Sequence, residues 1–319
     1  MNSKNWIRVL KVRLTRKNPS SKGQIMTFGE NEYPFENLYM NVKIYKYMSS
    51  AKDNALITIT NLTYTQIVEI ILSQFYSVEV ICGYKYGNQY TAFKGQVLRI
   101  SNTLNDDRTY TVNILCASDL IGRFSQATLN FSLNSGINMY SAISFLAKAS
   151  GMNKLNVNLS TQLKKQFLTD NTSTNDTMGS FLSKLTNNNP YYILNSDSSN
   201  GATFSIYDAR KSNNRVIKIK NEDFIGGFPN LDSEGLTFSV LPSYNFMPGD
   251  VIVVDNSRVN LQTITNINSL SEQPGMFLDK NGAYMIMNLD YNLCNRSSQF
   301  TCNVKAKARS LISNYIGEI

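Results

Sequence analysis

The chain contains no histidine, and this limits the chemistry that its other reactive side chains could perform. Histidine is the commonest general base, and it is the residue that most often activates serine and cysteine nucleophiles. Its absence excludes Ser-His-Asp triads, Cys-His pairs and histidine-ligated metals. Any remaining chemistry would depend on cysteines and carboxylates.

Four cysteines are spread along the chain: Cys82, Cys116, Cys294 and Cys302. No two of them form a Cys-x-x-Cys pair, so their spacing does not match a zinc site. Cys82 and Cys116 each end an apolar run typical of a strand, which predicts small core residues. Cys294 and Cys302 are close enough for a hairpin pairing, although spacing alone leaves open whether they form a disulfide. We expect no metal and no cofactor.

Acidic residues are the other candidates for catalysis, because a pair of carboxylates can hydrolyse a glycoside. The chain has only 23 of them, and they fall mainly in turns such as Asp106-Asp107. The sequence contains no phosphate-binding glycine loop and no Gly-x-Ser-x-Gly nucleophile motif. It therefore predicts a protein that is not an enzyme.

The segment 224–254 has a backbone role instead of a chemical one. Two short β-type runs, 235–241 and 250–254, are bracketed by glycine and proline clusters. Proline presets φ and glycine permits positive φ, so these clusters predict fixed turns that hold strands at set angles. The predicted turn residues are Gly226, Gly227, Pro229, Gly235, Pro242, Pro248, Gly249 and Asp250.

Composition is that of an ordinary globular protein, with 42% hydrophobic and 17% charged residues. No run of about 18 apolar residues occurs, so no membrane span is predicted. The net charge of +8 could attract nucleic acid or an anionic membrane surface. The basic residues are dispersed except near the two ends, which favours solvated strand faces or contacts to acidic neighbours.

The pattern of apolar residues along the chain predicts a mainly β fold with an α+β insert. Alternating apolar residues and short turns indicate antiparallel strands at both ends of the chain. A cap at Thr63 and isoleucines at helical spacing predict a helix over about 64–75, and similar patterns predict helices at 138–150 and 176–186. The predicted domains are a first β-barrel, an α+β region, and a second β-barrel with a short tail, at 1–120, 121–220 and 221–319.

Three stretches of sequence occur in an order that is known from one family. The first stretch contains the strand 55–62 ending in Asn-Leu, the helix after it, the strand 78–84 ending in Gly-Tyr, and Phe93-Lys94-Gly95. The second contains Gly227-Phe228-Pro229, Gly235-Leu236, Leu241 and Pro248-Gly249-Asp250. The third consists of the closing strands 282–286 and 300–306. This order resembles the baseplate hub proteins of contractile-tailed bacteriophages and the related hub of the type VI secretion spike.

The resemblance implies a structural late protein of the virion, located in the tail baseplate and assembled in the host cytoplasm. It implies a homotrimer, because in this family two tail-tube-like barrels per subunit let three subunits form a pseudo-sixfold ring. That ring would adapt the sixfold tail tube to a threefold central spike and form part of the channel for genome ejection. The implied partners are the tail tube protein, the central spike protein, other baseplate proteins, and passing phage DNA or tape-measure protein.

Open β edges are an independent reason to expect self-association, because a cyclic trimer would pair them. The candidate subunit or tube contacts are the aromatic residues in or beside the loop 18–37: Trp6, Tyr33, Phe35 and Tyr39. The same aromatic residues could instead cover one end of a barrel.

Two other classes of function follow from the residues alone. A soluble nucleic-acid-binding β-barrel protein would interleave aromatic and basic residues on one sheet face, and Tyr84-Lys85-Tyr86 and Tyr45-Lys46-Tyr47 are fragments of such a pattern. A carboxylate-dependent glycosidase domain of a tail is the third hypothesis. The absence of histidine and the scarcity of acidic residues disfavour it.

Overall fold

In the computed structural model of the chain, most of the secondary structure is β-strand. The described residues are 7–16, 25–31, 36–47, 53–72, 75–106, 109–118, 128–149, 154–158, 168, 172–177, 192–197, 203–208, 215–232, 234–261 and 278–309. The chain divides into two compact units. The first consists of residues 1–46, 53–118 and 216–311, and the second of residues 47–52, 119–215 and 312–319.

The helices and strands follow one another in a simple order. They are β1 (Arg8–Arg16), β2 (Ile25–Phe28), β3 (Tyr39–Tyr47), β4 (Asn54–Leu62), α1 (Tyr64–Leu72), β5 (Phe75–Tyr84), β6 (Gln89–Leu104), β7 (Tyr110–Ala117), β8 (Thr128–Leu133), α2 (Met139–Ala149), β9 (Lys154–Asn158), β10 (Thr172–Thr177), β11 (Tyr192–Asp197), β12 (Thr203–Asp208), β13 (Val216–Lys218), β14 (Phe224–Asp232), β15 (Gly235–Val240), β16 (Val251–Val253), β17 (Asn260–Leu261), β18 (Ala283–Cys294) and β19 (Phe300–Ala308).

The first unit is built on one fourteen-stranded sheet that uses strands from both ends of the chain. Its order is β17-β14-β15-β19-β18-β3-β4-β7-β6-β5-β1-β2, and β16 pairs with both β18 and β13. The pairing of β18 with β3 joins the C-terminal strands to the N-terminal ones. The mainly β fold predicted from the sequence is confirmed.

Period-two alternation explains why these segments form strands with one buried face. In β3, Met40, Val42 and Ile44 are fully buried, while Lys43 between them is exposed. Most buried apolar residues on the strands of the first unit join one hydrophobic core cluster. Burying alternate side chains fixes the register, because a slip by one residue would turn the apolar set toward water.

Helix α1 begins where its capping residues predict. The Gln66 N–H donates to Thr63 Oγ1 at 3.3 Å, and Gln66 Oε1 accepts the Thr63 N–H at 3.0 Å. This reciprocal pair is a capping box, which satisfies two otherwise unpaired backbone donors. Ile67 and Ile70 on one face are buried in the sheet's core.

The second unit combines helix α2 with two small sheets within the described residues. Strand β10 pairs with β8, and β12 lies between β9 and β11. The helix predicted at 138–150 is confirmed, whereas the one predicted at 176–186 is wrong at its start. Asp176 and Thr177 belong to β10 and pair with Leu129 and Thr128; residues 178–186 lie outside the described residues.

The division into three domains and the two separate barrels stay predictions. The first and last β regions contribute strands to one continuous sheet and lie in the same compact unit. In the described part of the chain, no helix is long and apolar enough to cross a membrane.

Candidate assembly site

The first unit contains the same five-stranded arrangement twice. In what we call repeat 1, the sheet order is β3-β4-β7-β6-β5; in repeat 2 it is β14-β15-β19-β18-β16. The strands follow in the same chain order in both repeats, and every neighbouring pair is antiparallel. Helix α1 connects β4 to β5, and the segment 241–250 connects β15 to β16. The chain therefore carries two copies of one supersecondary unit.

The two repeats share the position of a β-bulge. The register of β6 against β7 shifts between Val97 and Arg99, and the register of β18 against β19 shifts between Ile286 and Asn288. When the two repeats are aligned through their strand pairs, the two register shifts occur at the same position. A bulge increases local twist, so both repeats twist at the same point.

The repeats also share a polar pair on the face opposite the core. Thr58 Oγ1 donates to Asn113 Oδ1 at 2.8 Å in repeat 1, and Ser239 Oγ donates to Asn303 Oδ1 at 2.8 Å in repeat 2. Each pair joins the second strand of its repeat to the last one. The two asparagines are therefore equivalent residues.

The sequence carries a short trace of this duplication, which our sequence analysis did not find. Residues 110–114 read Tyr-Thr-Val-Asn-Ile, and residues 300–304 read Phe-Thr-Cys-Asn-Val. Both fall on the last strand of their repeat. This similarity of five residues is the signal in the sequence that indicates an internal repeat.

Repeat 2 differs from repeat 1 by an enlarged bulge in its first strand. In β3, only Val42 lies opposite Ile57 of β4. In β14, the pairing jumps from Ile225 to Asn230, so the four residues 226–229 lie opposite Phe238 of β15. The glycine and proline cluster at 226–229 therefore lies within a strand, where we predicted a turn between strands.

Positive φ angles let the backbone follow this bulge. Gly226 has φ +77° and Gly227 has φ +126°, values that a residue with a Cβ rarely adopts. Pro229 is buried, and Phe228 is 40% exposed with the Arg258 guanidinium 5.3 Å from its ring centre. The residues of the bulge line a groove of about 420 Å³ on the polar face, together with Asn303.

Gly235 opens β15 with φ +131°, and a Cβ there would lie 2.3 Å from the carbonyl oxygen of Ala306. Glycine is therefore required at this position by both backbone conformation and space.

The remaining predicted turn residues lie in the connection 241–250. Pro242 and Pro248 are buried. The Met247 N–H donates to Asp250 Oδ2 at 2.9 Å, and the Gly249 N–H donates to the carbonyl of Ile286 at 2.7 Å. These bonds close the turn and attach it to β18.

Asn295 connects the two repeats where β18 meets β3. Its Oδ1 accepts the Met40 N–H at 2.9 Å, its Nδ2 donates to the Leu38 carbonyl at 2.7 Å, and its N–H donates to the Met40 carbonyl at 3.2 Å. Arg296 next to it donates to the carbonyl of Asn37. Nothing in the sequence distinguishes Asn295 from the other asparagines, because its partners are distant in the chain.

The four cysteines are buried thiols without disulfides. Burial raises the pKa of Cys82 and of Cys116 to about 12, so both stay protonated and act as core residues, as predicted. Cys294 and Cys302 are unpaired. Among the described residues, no cluster of acidic and cysteine side chains could hold a metal ion.

Of the predicted contact aromatics, Trp6, Tyr33 and Phe35 lie outside the described residues. Tyr39 begins β3 and is half-buried. A hydrogen bond with the Cys294 side chain, together with burial, raises the pKa of Tyr39. Its hydroxyl therefore contacts repeat 2 of its own chain.

Strand β6 leaves part of one edge open. Residues 97–104 pair with β7, but the pairing with β5 ends at Gln96, and no other strand in the described part of the chain pairs with this edge. The difference is visible in burial: Leu104 is 58% exposed, whereas its counterpart Leu293 in β18 is 0% exposed. Both leucines pair with an aromatic residue, Tyr110 or Phe300.

Comparison with solved structures identifies the fold. The 43 kDa tail protein of prophage MuSo2 from Shewanella oneidensis is similar with a TM-score of 0.55 and 11% identity, covering 95% of this chain and 97% of that one. The tail protein from Neisseria meningitidis MC58 has a TM-score of 0.55 and 8% identity, with coverage of 95% and 97%. No protein-family model matches the chain, and no curated protein matches its sequence.

A third similar structure comes from a secretion machine. The E. coli c3393 protein, a type VI secretion component with structural similarity to the phage T4 tail proteins gp27 and gp5, has a TM-score of 0.53 and 9% identity, with coverage of 84% of this chain and 73% of that one. At these identities the similarity establishes a shared fold. The chain has the fold of phage tail proteins and of this secretion component.

Proposed function

We propose that this protein is a structural hub of a phage-tail baseplate. Three copies would form a ring that adapts the sixfold tail tube to a threefold central spike and forms part of the DNA-delivery channel. The observation that carries this proposal is the internal duplication of the five-stranded unit. Two equivalent units per chain give a trimer six equivalent positions, which is the symmetry that such an adaptor needs.

The shared fold supports a tail role for the protein. We further propose that each repeat forms the core of a tube-like barrel domain and that the second unit is an α+β insert. The tail tube protein, the central spike protein and other baseplate proteins would be its partners. We assign the protein no catalytic role; the buried thiols of Cys82 and Cys116 stay protonated.

The polar face of the sheet is the surface that we propose lines the channel. One face packs into the core, and the other carries the pairs Thr58–Asn113 and Ser239–Asn303. A cross-strand row on this face in repeat 1 reads Lys43, Leu56, Leu115 and Arg99. Its two exposed cations could contact DNA phosphates in transit, because lysine and arginine neutralise the nucleic-acid backbone.

Light scattering of the purified chain, alone and with the spike protein of the same phage, tests this function. A mass of three times 35.9 kDa is expected, at least when the spike protein is present. A chain that stays monomeric under both conditions and binds DNA with a steep salt dependence would refute the hub and favour a nucleic-acid-binding protein.

A further inference from the structure

The pairing of β18 with β3 is a template for how one repeat meets the next. At one end of β3, Met40 is held by Asn295; near the other end, the Lys46 ammonium lies 5.7 Å from the ring centre of Tyr291. The C-terminal part of β18 therefore lies beside β3 between Met40 and Lys46. Within one chain, this joint connects repeat 2 to repeat 1.

On the opposite sides of the two repeats, no long strand in the described part of the chain lies beside the strands that correspond to β18 and β3. The counterpart of β18 is β6, and at its residues 97–104 the described strands pair only with the edge that faces β7. The counterpart of β3 is β14, which has β15 on its inner edge. A second copy could therefore place its β6 beside β14 and reproduce the joint between chains.

The residues at the end of this joint are also equivalent. Asp106 follows Leu104 at the position that Asn295 occupies after Leu293, and it is exposed. Phe224 occupies the position of Met40. Met40 lies one residue before the partner of Thr58, and Phe224 lies one residue before the partner of Ser239. Both Asn and Asp offer a side-chain oxygen that can accept a backbone N–H.

The outer edge of β14 is partly occupied by a short strand of its own chain. Strand β17 pairs in parallel with β14, joining Asn260 to Asn230 and Leu261 to Leu231. Asn260 Nδ2 donates to Asn230 Oδ1 at 3.3 Å, and both residues of β17 are exposed. The Arg258–Phe228 contact attaches the preceding turn to the bulge.

We propose that the outer edge of β14 is an exchange site. In the single chain β17 covers it, and in the ring β6 of a second copy takes this place. The inference rests on the proposed ring. The two occupants exclude each other, because β17 pairs with Asn230 and Leu231 inside the stretch of β14 that corresponds to the paired length of β3.

The short strand is well suited to be displaced. Within the described residues it forms two residue pairs, and Leu261 remains 53% exposed, so this part of β17 buries little apolar surface. An incoming β6 offers a longer edge and two exposed leucines, Leu98 and Leu104. Covering an edge until the correct neighbour arrives is a known protection against uncontrolled strand pairing.

Hydrogen exchange of the unmodified protein tests the exchange directly, by comparing dilute monomer with assembled trimer. Assembly is expected to slow exchange in peptides covering 97–104 and to accelerate it in peptides covering 260–261. Unchanged or increased protection of β17 in a trimer would overturn the proposal. Absence of any trimer, with the spike protein present, would instead refute the ring.

Two variants give an independent measurement. Leu261→Pro removes a backbone N–H from β17, and Arg258→Ala removes the contact with Phe228. Each is expected to lower the midpoint concentration for trimer formation, by about fivefold or more for Leu261→Pro. Glu69→Ala, which removes an exposed charge from helix α1 of repeat 1, is the control and should leave the midpoint unchanged. Unaltered or higher midpoints in both variants would overturn the exchange.

Discussion

Leu104 and Leu293 occupy equivalent positions in the two repeats but differ in exposure, and this difference allows a matched pair of substitutions. Leu293 is fully buried beside β3, whereas Leu104 lies 58% exposed on the open edge of β6. We predict that Leu293→Ala destabilises the chain itself. Leu104→Ala should leave the chain stable and weaken its self-association.

The magnitudes follow from burial. Leu293→Ala removes a core side chain and should cost about 2–5 kcal/mol of unfolding free energy. Leu104→Ala in the monomer should change it by no more than about 0.5 kcal/mol. Complete burial of a leucine contributes about 1.5–3 kcal/mol, so covering the exposed 58% of Leu104 contributes about 0.9–1.7 kcal/mol per joint.

Two assays separate these effects. Urea unfolding at a concentration where the chain is monomeric gives the free energy of unfolding of each variant. Sedimentation over a range of concentrations gives the trimerisation constant, to which three joints contribute. Leu104→Ala is therefore expected to weaken trimer formation by about 3–5 kcal/mol in total.

Either of two results would refute this prediction. One is a Leu104→Ala variant that trimerises like the unmodified protein. The other is a Leu104→Ala monomer that is destabilised as much as Leu293→Ala, which would mean that Leu104 already packs within its own chain.

Three further substitutions test the geometry of the first unit. Gly235→Ala should destabilise the chain by about 1–3 kcal/mol in urea unfolding, because a Cβ would collide with the Ala306 carbonyl and strain the positive φ; a neutral result would contradict the assigned backbone. Burial raises the pKa of Asp290, so the folded state binds the proton of this carboxyl more tightly than the unfolded chain does. The protonated carboxyl therefore stabilises the fold at low pH, and this contribution is lost as pH rises through the folded pKa. Asp290→Asn should therefore raise the melting temperature at pH 7, with the gain disappearing below the ordinary aspartate pKa; a loss at pH 7 would contradict the sign. Asn295→Ala should cost about 1–3 kcal/mol, because it leaves the Met40 N–H without its partner at the β18–β3 joint, and an unchanged unfolding curve would show that this joint is not stabilising.

Local patterns in the sequence were sufficient for the elements that bury one face. The alternation around Met40, Val42 and Ile44 predicts β3 because the period of two follows from strand geometry alone. Thr63 likewise predicts the start of α1, because a helix cap is formed by neighbours in the chain; the structure adds Gln66 as its partner in a capping box.

Pairing with distant residues decided the elements that the sequence did not predict. The segment around Asp176 is polar and rich in threonine, and it forms strand β10 because it pairs in antiparallel register with β8. Glycine and proline at 226–229 correctly indicate unusual φ angles. They do not show that the strand keeps its direction on both sides of residues 226–229, because its pairing with β15 determines the direction.

The candidate assembly site was the least predictable part. Its features are a duplicated unit, an asparagine that joins the repeats, and an edge of β6 that no described strand covers. Each of these depends on contacts between residues far apart in the sequence. The paired motifs at 110–114 and 300–304 record the duplication locally.

End-on electron microscopy of the assembled protein tests the central claim most directly. We predict a closed ring of three chains around a central opening, with six similar lobes from the two repeats of each chain. A ring of six chains, an open filament, or particles of a single chain in the presence of the spike protein would contradict it.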